Sequence, residues 1–137
     1  MANPVIINND SGKLEVFNPI FTDLEIEAGE ALDMDAGSVL AFDATTGTWI
    51  WTDSATASVA NAKAVLVQDI SFSEAGTREN TRCLIGGEVD QDKLIFQGSD
   101  TVDTIPAGGE DTFGLQLRSY GIVTRKGQVI DELDNQP

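Results

Sequence analysis

Between residues 37 and 89 the chain repeats one pattern. Val39, Leu40, Ala41 and Phe42 form a short apolar run that stops at Asp43. Thr45, Thr46 and Gly47 follow, then Trp49, Ile50 and Trp51. A small-residue segment leads to Ala64, Val65, Leu66 and Val67, and Cys83, Leu84 and Ile85 run into Gly86, Gly87, Glu88 and Val89. Each run is short, rich in β-branched or aromatic residues, and bounded by Gly, Asp, Ser or Thr. Runs of that length with such punctuation predict strands joined by turns. The 137 residues set one domain as the default and are enough to bury a core.

Around this body the pattern changes. Residues 1–36 hold Val5, Ile6 and Ile7, a turn cluster at Asn8, Asn9, Asp10, Ser11 and Gly12, and a weakly alternating Leu14, Glu15, Val16 and Phe17 that Asn18-Pro19 breaks. Leu24, Glu25, Ile26 and Glu27 alternate strictly, as a strand with one buried face does. Asp10, Glu15, Asp23, Glu25, Glu27, Glu30, Asp33 and Asp35 face a single base, Lys13. Two readings stand for this stretch: the first two strands of the body, or an arm that pairs with the sheet edge of another protein.

Beyond the centre, residues 54–62 read as a loop, 63–70 as a central strand, 71–80 as a polar connection and 81–85 as the next strand. Gly86-Gly87 suits a turn, a bulge or a close backbone approach. Asp111 or Thr112 supplies a cap for a short helix carrying Phe113, Leu117 and Tyr120 on one face, with Gly121 ending it. Ile122, Val123 and Thr124 resume as a last strand, and residues 131–137 form an acidic tail.

Charge sets the limits on function. Twenty-three acids against eight bases give a net charge of −15. That field repels phosphate backbones, so no nucleic-acid partner is expected, and it favours solubility at high concentration. No apolar run approaches the roughly 18–20 residues of a membrane-spanning helix, and no membrane partner is expected. There is no His, hence neither the commonest general base nor the commonest neutral metal ligand. Cys83, the single cysteine, lies in an apolar run and reads as a small buried hydrophobe. Glu88, Asp90, Asp92, Glu110 and Asp111 do not match a calcium-loop spacing and read as a solvated acidic face. No catalytic residue, metal site or cofactor is assigned, and an enzyme is not expected. Trp49 and Trp51, two apart on a strand, share a face. They are either core or one wall of a subunit contact.

The order of the pieces resembles the head decoration proteins of tailed bacteriophages, the lambda gpD-like group. Val39-Leu40-Ala41-Phe42, Ala64-Val65-Leu66, Leu84-Ile85-Gly86-Gly87-Glu88-Val89, Leu94-Ile95-Phe96 and Leu117-Arg118-Ser119-Tyr120-Gly121-Ile122-Val123 carry the resemblance, over about two-thirds of the chain. It implies a mainly β fold: a small β-rich, β-tulip or barrel-like body with one short C-terminal helix and an extended N-terminal arm. The corresponding division is an arm at 1–36, a decoration domain at 37–130 and the tail at 131–137.

The implied function is capsid cement. A homotrimer sits on the outer surface of the expanded head at three-fold sites and stabilises it against internal DNA pressure. The arm adds a strand to the major capsid protein, with Val5, Ile6, Ile7, Val16 and Phe17 as candidate strand positions. The rival reading is a glycan- or receptor-binding β-module of a fibre or adhesin, with Trp49 and Trp51 as its stacking platform.

Overall fold

The computed structural model describes residues 5–9, 12–56 and 61–125. The expected tail at 131–137 and the boundary at 130 lie outside them. The described chain is mainly β. Its strands are β1 (Val5–Asn9), β2 (Gly12–Ala28), β3 (Leu32–Met34), β4 (Val39–Asp43), β5 (Thr48–Trp51), β6 (Ala62–Leu66), β7 (Ile70–Phe72), β8 (Gly76–Asp90) and β9 (Ile122–Arg125). One helix, α1 (Phe113–Ser119), precedes β9, and a single 3-10 turn (Gln91–Lys93) follows β8.

The seven-stranded sheet runs β1-β2-β5-β4-β6-β8-β9, and β2 also pairs with β8. That second pairing closes β2, β5, β4, β6 and β8 into a five-stranded barrel. Closure removes the sheet edges along the barrel. β1 and β9 stay outside it, one on each flank of a small extension in which β2 pairs with β8 through Val16 and Val89. β3 and β7 form a separate two-stranded ribbon.

Alternation sends successive residues into two packed clusters. Val39, Val65 and Leu84 join Leu14, Val16, Phe113, Leu117 and Ile122 in one, beneath α1. Their neighbours Leu40, Leu66 and Cys83 join Ile26, Met34, Ile70 and Phe72 in the other, beneath the β3–β7 ribbon. Strands buried on both faces lose the strict polar alternation, which is why β4 and β6 read as continuous apolar runs.

The division after residue 36 is corrected by this packing. Leu14, Val16, Ile26 and Met34 are fully buried in the same two clusters as the body, and Ala36 is fully buried as well. Residues 12–36 are therefore staves and floor of the body, and β1 alone projects from it. The Asn18-Pro19 break proves to be a bulge inside one long strand. Asn18 takes a left-handed φ of 50°, and the β2–β8 register slips between Phe17 and Ile20. The polar segment 71–80 likewise contains most of β7 and the start of β8.

The helix has the cap predicted for it. The Thr112 side chain accepts a hydrogen bond from the Leu115 N–H at 3.2 Å. Phe113 and Leu117 are buried, but Tyr120 is exposed and Gln116 takes its place. Gln116 Oε1 accepts from the Ala62 N–H at 2.9 Å, which satisfies a buried donor at the start of β6.

Candidate interaction surfaces

Three features stand out on the surface. The first is the open edge of β1. β1 pairs antiparallel with β2, Val5 opposite Val16, Ile6 opposite Glu15 and Ile7 opposite Leu14. Cross-strand partners share a face, so Val5 and Ile7 lie on the side of the buried Leu14 and Val16, and Ile6 lies on the opposite side beside exposed Glu15. Ile7 packs against the α1 cluster. Val5 and Ile6 are 39% and 49% exposed. Among the described residues no strand pairs with the other side of β1. The stretch Val5–Asn9 carries neither a charge nor a proline, the two devices that most often blunt an edge.

The five expected arm positions thus divide. Val5 and Ile6 are accessible, Ile7 and Phe17 are half-buried, and Val16 is fully buried between its partners Val5 and Val89. Val16 cannot present its side chain to a partner without opening the core. The sequence gives no sign of this, because Leu14 and Val16 alternate with Glu15 as an edge strand's residues also do.

The second feature is the aromatic pair. Trp49 and Trp51 lie on β5 opposite Phe42 and Leu40, and both are half-buried against the ribbon-side cluster. Trp49 meets Phe42 with ring centroids 5.4 Å apart at a 60° tilt, a favourable geometry for two rings. The Trp51 indole N–H donates to the Ile95 carbonyl at 3.0 Å. The Gln97 amide in turn donates to the Trp51 and Thr52 carbonyls, tying segment 95–97 across the end of β5.

The third is a groove of about 480 Å³ where β2 turns into β3. Leu32, Ile50 and Trp51 contribute apolar surface to it. Glu27, Glu30, Asp43 and Asp53 stand around it, and among the described residues no Lys or Arg lines it. Three of these carboxylates are fixed by local hydrogen bonds. Glu27 accepts from the Thr48 hydroxyl, Asp43 from the Thr45 N–H, and Asp53 from the Ala55 N–H and the Thr56 hydroxyl. The sequence reading missed this groove, since its acids come from three separate segments, with Gln97 from a fourth. Of the acids it singled out, Asp92, Glu110 and Asp111 are exposed, Glu88 pairs with Arg125 at 2.6 Å, and Asp90 accepts from the Asp92 N–H at the start of the 3-10 turn.

Cys83 is fully buried on β8. Burial, with a smaller contribution from Asp23, pushes its thiol up to about 12. A thiol held protonated is a poor nucleophile and a poor metal ligand. No helix among the described residues is long and apolar enough to cross a membrane. Compared with known proteins, the chain matches no family, no curated protein and no solved structure.

Proposed function

We propose that this chain is a capsid decoration protein of a tailed bacteriophage, which binds the expanded head as a homotrimer and braces the major capsid protein. The single observation behind the reading is the open, uncharged edge of β1, which projects from the closed barrel. A strand laid along that edge gains main-chain hydrogen bonds over five residues, and Val5 and Ile6 offer it apolar contact. The segment order that resembles the decoration proteins supports the same conclusion. So does the net charge of −15, which suits a protein made in many copies that must stay dispersed and avoid DNA. Three weak edge contacts per trimer reinforce one another where the capsid's symmetry lets all of them engage.

Co-sedimentation with expanded, undecorated heads of the encoding virus tests the reading. The full chain is expected to bind saturably, at a fixed ratio to the major capsid protein. A chain lacking residues 1–9, and an Ile6→Lys chain, are expected to lose binding while keeping the β-rich circular dichroism of the intact protein. Failure of the full chain to bind would overturn the proposal. Full binding by both variants would remove β1 from the mechanism.

A further inference from the structure

The groove at the β2–β3 turn combines four carboxylates with an apolar floor. That floor includes Leu32, Ile50 and the indole-bearing Trp51. Among the described residues no three acidic or thiol groups converge closely enough to hold one metal ion. The four acids are therefore spread along the groove, which fits an extended ligand with separate charges better than a point cation. Phosphate-bearing ligands are repelled.

We infer that this groove docks a basic segment of a protein partner, an arginine or lysine flanked by an apolar side chain. The cation faces Glu30, Asp43 and Asp53, and the apolar residue covers Ile50 and Leu32. Trp51 is held in place by its bond to Ile95. An aromatic side chain beside carboxylates favours a guanidinium over a hydrated ammonium, since arginine is the more weakly hydrated and stacks on rings. The groove reads charge complementarity, which fixes register and partner choice more than raw affinity. This inference stands apart from the decoration reading, because the groove is remote in sequence from β1 and its ligand chemistry is its own.

The test titrates the isotope-labelled full chain with a blocked Arg-Leu-Arg-Leu peptide and follows backbone and indole N–H resonances. Shifts are expected to concentrate at Gly29, Glu30, Ile50, Asp53 and the Trp51 indole, and to fade as salt shortens the Debye length to below about 5 Å. Glu30→Gln with Asp53→Asn is expected to weaken binding by about tenfold, and Glu30→Gln alone by about threefold. Glu15→Gln with Asp92→Asn, on exposed sites at the opposite end of the β2–β8 ladder, is expected to leave binding unchanged. Shifts scattered over the whole acidic surface, or equal weakening by both pairs, would overturn the inference. So would tighter binding of a neutral oligosaccharide to the same resonances, which would make the groove a sugar site. Because the peptide is used without heads, the outcome does not depend on whether the chain decorates a capsid.

Discussion

At Gly87 there is no room for a side chain. Its φ is +117°, and a Cβ there would stand 2.7 Å from the Phe17 carbonyl and 2.9 Å from that of Asn18. The bulge in β2 presses backbone to backbone at this point. Gly87→Ala combines a forbidden φ with a clash that no side-chain rotation relieves, and is expected to cost about 3 kcal/mol or more. Gly47→Ala is the control. It shares a positive φ, 76°, but meets nothing within 4 Å, so only the backbone penalty of about 1 kcal/mol applies. Chemical denaturation of the two variants measures the difference. Cys83 gives a second prediction. Its folded pKa stands above the ordinary 9.0, near 12. The folded state therefore holds a proton that the unfolded state releases, and this part of the stability is complete below about pH 9 and lost as pH rises toward 12. Cys83→Ala is expected to show a shallower alkaline decline, and the native thiol to resist alkylation at neutral pH until denaturant is added.

Among the elements, β2 decides whether the body folds. It buries Leu14, Val16 and Ile26 completely. At roughly 1.5–3 kcal/mol each, these three side chains alone are comparable to the whole stability of a small domain. Deleting residues 1–30 is therefore expected to abolish cooperative thermal unfolding. Deleting 1–9 is expected to preserve it with a modestly lower midpoint. The helix is more tolerant: Thr112→Ala removes one capping bond and is expected to cost about 1 kcal/mol.

The strands legible in the sequence were β4 and β6, largely buried on both faces, and β5, whose half-buried Trp49, Ile50 and Trp51 form an equally apolar run. The helix was legible from its cap and its Phe113–Leu117 spacing. Other elements were hidden. The first five residues of β8 are polar because they are exposed. β3 and β7 are three residues each, and their pairing depends on a tertiary contact. β2 looked like an arm because a bulge at Asn18 interrupts its period without ending the strand. Of the interaction surfaces, Val5 and Ile6 were legible as exposed apolar residues. The acidic groove was not, because four distant segments meet there only after the barrel closes.

For the whole molecule, charge is the term that solution conditions reach most directly. Fifteen uncompensated negative charges on a 137-residue chain repel one another across distances that physiological salt only partly screens. The thermal midpoint is expected to rise with sodium chloride over the first few tenths molar and then level off, as scanning calorimetry at fixed pH can show. The same salt is expected to weaken the basic peptide's hold on the groove. One added ion thus moves stability and recognition in opposite directions.

Barrel closure between β2 and β8 also sets a timetable. During synthesis β2 emerges directly after β1, and its barrel partner β8 begins only at Gly76. At about 5–20 residues per second, the strand waits for several seconds before the chain that covers it has left the ribosome. Throughout that interval Leu14, Val16 and Ile26 lack the cover that β8 supplies. Glu15, Asp23, Glu25 and Glu27 are interleaved among them, and these charges act as gatekeepers that keep neighbouring nascent chains from pairing along the same strand. The acids that lie along β2 in the finished protein thus guard this long-exposed strand while the protein is being made.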